Sequence, residues 1–310
     1  MSVSNLPQER PALKISSPTL SWRELLQMLM VLFKFRVVVL LLLSAVGGAF
    51  LGAGGWPGLV NLLLVLFTGF FAASGASALN QYWEQEKDSL MQRTERRPLV
   101  TGALEGSRRW LPLVASAMVL VPSLAVLPVR PMLTFYLLLG AFIYVAVYTI
   151  WLKPRTLLNI VIGGAAGSAA VLSGGAAVGA EWDPGVIILA LLVFLWTPSH
   201  FWSLAMLYRD DYRKAGTPML PAFTSLRSAS WWVMVHTVAT VIAALGLILV
   251  PALGWVYALP ALLISLDLLH RNISLIVEPE IPRARRLFIA SNMYLAVILL
   301  AVMLGVLIPF

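Results

Sequence analysis

The chain has 310 residues, a net charge of +8 and a hydrophobic content of 60%, against only 12% charged residues. Its mean hydropathy of +0.87 exceeds what a soluble globular domain of this size needs, so the bilayer is the expected solvent. Zero cysteines exclude disulfides, thiolate metal sites and a cysteine nucleophile. The basic excess sits in short loops between apolar runs, which is not a nucleic-acid footprint, and no nucleic-acid partner is expected.

The first twenty or so residues are polar, include Pro7, Pro11 and Pro18, and lack an apolar core. They resemble neither a cleavable signal peptide nor an Arg-rich transit peptide. Residues 1–24 are expected to form a disordered cytoplasmic tail that ends in an interfacial helix starting at Ser21-Trp22-Arg23-Glu24. Residues 25–310 then form one domain. Nine apolar segments, at roughly 35–53, 59–79, 110–128, 132–151, 157–179, 185–205, 231–250, 252–270 and 287–307, are close to the ~20 residues that span a bilayer. With the amino terminus placed in the cytoplasm, every lysine and arginine except Arg130 falls in the tail or an inward loop. By the positive-inside rule the expected fold is an all-α integral membrane protein of nine transmembrane helices. Its amino terminus is cytoplasmic and its carboxyl terminus outside, in a bacterial inner membrane.

After the second span comes Asn80-Gln-Tyr-Trp-Glu-Gln-Glu-Lys-Asp88, then Arg93, Arg96, Arg97, Pro98 and Gly102. On a helix, Asn80, Glu84 and Asp88 fall at i, i+4 and i+8 and line one face over about 12 Å. Oxygen donors on one face suit a hard divalent cation, and Arg93 and Arg97 just beyond suit a phosphate group. A solvated loop of self-neutralising charges is the plainer reading. The shared face, the arginines directly after it and a second acidic loop all weigh against that.

The second acidic loop, after the sixth span, reads Tyr208-Arg-Asp-Asp-Tyr-Arg-Lys-Ala-Gly-Thr-Pro-Met-Leu-Pro221. Asp210 and Asp211 are adjacent and diverge by about 100° on a helix, so one is free to ligate metal while the other pairs with Arg209 or Lys214. Four spans separate the two loops, which suggests a weak internal repeat of four helices plus four, with a ninth appended. Lys153 and Arg155 are positioned either as inward anchors or, for Lys153, as a further phosphate contact. His200, near the inner end of the sixth span, is within a few turns of Asp210, where a substrate-facing role competes with a helix–helix hydrogen bond. His236 and His270 have weaker cases. Gly163, Gly164, Gly167, Gly174 and Gly175 give the fifth span a close-packing surface.

The pattern Asn80-x-x-x-Glu84-x-x-x-Asp88 with Arg93-Thr94-x-x-Arg97-Pro98-x-x-x-Gly102 resembles the first signature of the UbiA-type intramembrane prenyltransferases. Three later blocks resemble the heme-farnesylating branch of that family. They are Tyr148-Thr-Ile-Trp-Leu-Lys-Pro-Arg-Thr156 with Asn159 to Gly164, Trp196-Thr-Pro-Ser-His-Phe-Trp202, and Asp210-Asp-Tyr-x-x-Ala-Gly-x-Pro-Met-Leu-Pro221. The likeness covers the chain from about 25 onward. It implies nine helices around a central cavity capped by the two cytoplasmic loops after helices 2 and 6. The implied reaction is farnesyl diphosphate plus heme B and water giving heme O and diphosphate, with Mg2+ as cofactor and heme B as substrate.

Glu84, Asp88, Asp211 and Asp210 are then the expected metal ligands. Asn80, Arg93, Arg97, Lys153, Tyr148 and Tyr212 are the expected substrate contacts, and His200 is a porphyrin contact, either as iron ligand or proton acceptor. A downstream heme-modifying membrane enzyme is a candidate partner. Departures from the family pattern are Gln81 and Glu84 where Asp is usual, the adjacent Asp210-Asp211 in place of a spaced pair, and Ser199 in place of a second proline. The rival acceptors are a quinone precursor and a chlorophyllide. A membrane transporter is the rival of another class, but transporters place ionisable groups near the bilayer midplane, whereas the acids here gather at one face.

Overall fold

The computed structural model describes residues 21–308, so the disordered tail expected over residues 1–20 lies outside it. Ser21 opens the first helix with a capping box. Its hydroxyl accepts from the Glu24 amide at 3.3 Å, and the Glu24 carboxylate accepts from the Ser21 amide at 2.9 Å. Helix α1 (Trp22–Leu32) leaves Trp22, Leu26 and Met30 exposed at four-residue spacing, the pattern of a helix lying in an interface. The chain then turns at Lys34, which has φ 50° and is the only non-glycine residue with positive φ among the described residues. Helix α2 (Phe35–Ala53) follows.

Helix α3 (Leu59–Trp83) runs beyond the expected span and carries Asn80 in its last turn, and α4 (Gln85–Ser89) begins immediately after Glu84. Helices α5 (Leu111–Ala125) and α6 (Pro131–Phe142) come next, and α6 continues unbroken as a π-helix over Ile143–Leu152. Helices α7 (Asn159–Gly163) and α8 (Ala165–Ala177) together form one span. Beyond α9 (Pro184–Leu207), the second acidic loop folds as α10 (Arg209–Lys214) and α11 (Leu220–Phe223). Helices α12 (Leu226–Gly246), α13 (Gly254–Val277) and α14 (Ile281–Leu307) complete the chain, with no strand among the described residues.

Among the described residues, eight stretches are long and apolar enough to cross a membrane. The segment expected at 110–128 is realised as α5, whose 15 residues reach about 22 Å, short of a hydrocarbon core of about 30 Å. Each stretch exposes large apolar side chains, among them Phe67, Phe135, Leu191 and Leu263, as does α5 at Leu113, as lipid-facing surface requires.

Packing follows the expected repeat. Helix α3 lies on α5 as α9 lies on α12, and α6 lies on α8 as α13 lies on α14. Contacts of α2 with α8 and α14, and of α8 with α9, join the halves. The α2–α8 crossing is close because two positions lack side chains. A Cβ on Gly174 would stand 1.7 Å from the Ala45 carbonyl oxygen, and one on Gly48 would stand 2.2 Å from that of Val171. Small residues at a membrane helix crossing allow this backbone approach.

Candidate active site

The inner end of α3 starts the site. Asn80 is buried, and its amide donates to the Thr149 hydroxyl at 2.9 Å. Its carbonyl oxygen accepts from the Lys34 ammonium, which also donates to the Tyr144 hydroxyl at 2.8 Å. Glu84 ends α3 and pairs with Lys153 at 2.5 Å. The helical period breaks only locally there, because the Asp88 amide donates to the Glu84 carbonyl at 2.8 Å and the i, i+4, i+8 relation survives. Asp88 pairs with Arg97. The Thr94 hydroxyl donates to the Asp88 carbonyl at 2.9 Å, which holds the arginine-bearing turn against α4. Across the site, the Arg93 amide donates to the Asp211 carboxylate at 3.4 Å, so the two acidic loops meet.

The π stretch supplies the facing wall. Its wide turn is visible in the Lys153 amide, which donates to the Tyr148 carbonyl five residues back at 2.8 Å. This spacing brings Tyr144, Tyr148 and Lys153 to the same side. The two tyrosine rings stack at 5.9 Å, and the Lys153 ammonium lies 5.6 Å from the Tyr148 ring centre. Gly163 makes room for that wall, since a Cβ there would meet the Tyr148 ring at 2.7 Å.

Three cations (Lys34, Arg97 and Lys153) thus partner Asn80, Asp88 and Glu84, while Arg93 meets the third carboxylate, Asp211, through its backbone amide. Burial pushes the Lys34 ammonium well below the ordinary lysine value; repulsion from Arg97 adds to this and Glu84 opposes it. Burial acts to raise the Glu84 carboxyl, but Lys153 and Lys34 outweigh it, so the net direction is down and Glu84 is ionised at neutral pH. Among the described residues, no three His, Asp or Glu side chains stand close enough to hold a metal ion together. The donor chemistry nevertheless fits a hard divalent cation: every candidate ligand is a buried carboxylate oxygen, and Glu84 and Asp88 are kept charged by cationic partners.

Of the expected residues, the structure gathers Asn80, Glu84, Asp88, Arg97, Lys153, Tyr148 and Asp211. Arg93 lies exposed at the rim, its guanidinium 5.6 Å from the Tyr208 ring centre. Asp210 does not join them: its side chain is 79% exposed and pairs with Arg213 at 3.6 Å, rather than with Arg209 or Lys214. The angular divergence of adjacent helical residues turns one of the two acids outward. Tyr212 is fully buried against Met91, Tyr148 and Met219 and supports the site from below. Gln81, where a carboxylate is usual, donates to the carbonyls of Val31 and Leu32 at 2.8 and 2.7 Å and so fastens α1 to α3. Sequence reasoning missed Lys34, Tyr144 and Thr149 as members of the site. Lys34 stands beside Arg36 between two apolar runs, so nothing in the sequence separated it from an inward-facing anchor.

His200 lies deep in the bundle on α9, apart from this charge cluster, and keeps some accessible surface. Its ring is sandwiched between Trp196 at 4.3 Å and Phe288 at 4.8 Å. Its Nδ1 is 2.7 Å from the Ser291 hydroxyl, which itself donates to the Phe288 carbonyl at 2.8 Å. A hydroxyl has one proton to donate, so satisfying both contacts requires Nδ1–H to be the donor and leaves Nε2 with a free lone pair.

An all-helical membrane bundle whose inner end gathers buried carboxylates, cations and tyrosines matches a known class. The pattern of the UbiA prenyltransferase family matches residues 41–307, and the chain belongs to that family. It is accordingly an integral membrane transferase of prenyl groups. Within the family it is similar to the protoheme IX farnesyltransferase of Metallosphaera sedula, with 38% identity over 273 residues, covering 88% of this chain and 94% of that protein. It is likewise similar to protoheme IX farnesyltransferase 1 of Paramagnetospirillum magneticum, with 41% identity covering 87% of this chain and 95% of that one. Among solved structures, digeranylgeranylglyceryl phosphate synthase superposes with a TM-score of 0.75 at 17% identity, covering 91% of this chain and 98% of the other. A UbiA homolog from Archaeoglobus fulgidus bound to GPP and Mg2+ superposes with a TM-score of 0.60 at 18% identity, covering 89% and 99%. These two establish the common fold.

Proposed function

We propose that this protein transfers the farnesyl group of farnesyl diphosphate to a vinyl group of heme B, with addition of water, to give heme O and diphosphate. The acceptor assignment rests on near-full-length similarity to proteins named protoheme IX farnesyltransferase. The donor chemistry rests on the cation–carboxylate cluster at the inner end of α3.

An allylic diphosphate ionises when the charge left on the leaving group is stabilised. Lys153 and Arg97, held ready by Glu84 and Asp88, would clamp that group, with Lys34 as a further donor and the Arg93 guanidinium reaching in from the rim beside Tyr208. Magnesium, held by Glu84, Asp88 and Asp211, would supply Lewis-acid stabilisation of the departing diphosphate. Asn80 positions Lys34, and Tyr148 gives Lys153 an aromatic face that restricts its swing. The farnesyl C1–O bond breaks, and C1 bonds to the terminal carbon of the vinyl group. Water then adds to the adjacent carbon and releases a proton. Stacked Tyr144 and Tyr148 exclude bulk water from the allylic cation before the vinyl group captures it. The free Nε2 of His200 meets the porphyrin, as iron ligand or proton acceptor.

The remaining topology belongs to the same reading. Residues 25–310 form one nine-span domain in which α5 is a short crossing, preceded by a cytoplasmic tail. The carboxyl terminus is outside, in a bacterial inner membrane. A downstream heme-modifying membrane enzyme takes the product.

The test is product analysis on purified protein given heme B, labelled farnesyl diphosphate and magnesium, with and without chelator. A hydroxyethylfarnesyl heme that disappears on chelation is the expected result. Transfer to a hydroxybenzoate or naphthoate instead would keep the donor site and overturn the acceptor.

A further inference from the structure

A second cationic cavity lies at the same end of the bundle as the prenyl-transfer site, between α13 and α14. It is a cleft of about 350 Å³, open to the membrane boundary and lined by Asp267, His270, Arg271, Ser274, Arg283 and Arg286, of which His270 and Arg286 are exposed. None of the six belongs to the cluster around Glu84 and Asp88. Asp267, His270, Arg271 and Ser274 share one face of the last turns of α13, and Arg283 and Arg286 occupy the first two turns of α14. Arg271 donates to Asp267 at 2.7 Å, and Arg283 pairs with Glu278 and donates to the Ser274 carbonyl at 3.1 Å. Among the described residues, Arg286 and His270 have no protein partner. Three arginines therefore face two carboxylates, an excess of one positive charge with uncommitted donors.

Orientation in the membrane explains why basic residues lie on this side, but not why they converge on a cavity. Two other basic residues at this end are held by their own helix neighbours, and it is the convergence of three arginines and a histidine on one cleft that sets this cluster apart from the single solvated cations around it. Arg155 donates to the carbonyls of Ile150 and Trp151 at 2.9 and 2.8 Å, and the Arg109 guanidinium lies 5.2 Å from the Trp110 ring centre. Toward the middle of the bundle the same two helices expose Leu263, Leu266, Ile289 and Met293. The surface is thus cationic at the membrane boundary and apolar directly beneath it.

We propose that this cavity binds the phosphate of an anionic phospholipid headgroup, whose acyl chains lie along the exposed apolar face of α13 and α14. Arg286 and His270 donate to the phosphate oxygens, and the single excess positive charge matches the single negative charge of a phosphodiester. The site is independent of the acceptor assignment, because it neither contacts nor shares residues with the transfer site.

The experiment is native mass spectrometry of full-length protein exchanged into equimolar phosphatidylglycerol and phosphatidylcholine. Wild type is expected to retain phosphatidylglycerol in preference by about tenfold, and Arg286→Gln with His270→Gln is expected to bring the two lipids close to parity. A second measurement needs no variant: 1 M salt is expected to erase the preference in wild type. Equal retention of both lipids by wild type would overturn the proposal, as would a preference unchanged in the double variant or in 1 M salt. Displacement of the lipid by millimolar inorganic phosphate would instead make this a soluble-anion site. A raised KM for heme with lipid retention unchanged would reassign the cations to the carboxylates of the acceptor.

Discussion

In the loop after α3, Asn80, Glu84 and Asp88 are all buried and all turn to one group of cations, whereas in the loop after α9 only Asp211 turns inward and Asp210 faces water. Both loops are acidic, and both are tied down by side-chain bonds to backbone. Gln81 holds the carbonyls ending α1, and Asn159 reaches from α7 to the Pro218 carbonyl at 2.7 Å. What separates them is spacing. Acids four residues apart stay on one side of a helix even across the short break at Glu84, while neighbours point about 100° apart. The first loop therefore contributes a row of donors and the second a single one. Charge count alone would have ranked the pair Asp210-Asp211 too high.

Substitutions that keep size and remove charge test this asymmetry. Asp88→Asn is expected to lower kcat by about 10³-fold, because it removes a ligand and frees Arg97 from its holding position. Steady-state transfer of labelled donor, with circular dichroism to confirm folding, gives the readout, and near-normal turnover would dismiss the role. Asp211→Asn is expected to cost about 10²-fold, since only one donor from its loop is lost.

A smaller effect is expected at Lys34. Its ammonium titrates well below the ordinary lysine value, so it is charged on the acid side and neutral on the alkaline side of that lowered pKa. The donor KM should therefore rise several-fold as pH climbs through the lowered value, while Lys34→Arg, which stays protonated, should flatten the profile. An unchanged profile in that variant would place the titration elsewhere. Asp210→Asn closes the series, with an expected change below about twofold. If Asp210→Asn proves as damaging as Asp211→Asn, the asymmetry between the loops is wrong.

Much of this arrangement could be read in the sequence, and the exceptions have physical reasons. Hydropathy located eight crossings, with bounds off by up to about seven residues where the polar inner ends of α12, α13 and α14 continue the helix beyond the apolar run. The weak point was 110–128, where apolar residues run past the actual end of α5. The row Asn80, Glu84, Asp88 follows from helical period alone, and of the small residues in the fifth span Gly174 marks the close crossing. Lys34 was indistinguishable from a positive-inside anchor, because its left-handed turn and its reach to Asn80 and Tyr144 exist only after α1 folds back on α3. Tyr144 and Thr149 were hidden for a related reason. Their meeting depends on a wide helical turn that leaves no mark on hydropathy or composition.

That wide turn has a consequence for how the chain tolerates length changes. A helix with bonds five residues apart is an ordinary helix into which extra residues have been absorbed without a loop. Deleting a single residue within Ile143–Leu152 would let the backbone relax to regular geometry with its membrane-crossing length almost unchanged. Everything downstream would rotate by about 100°, carrying Lys153 away from Glu84 and the Tyr148 ring away from Gly163. The segment is thus insensitive to many substitutions among apolar residues but intolerant of a frame shift of one, a vulnerability to indels that no hydropathy profile would flag.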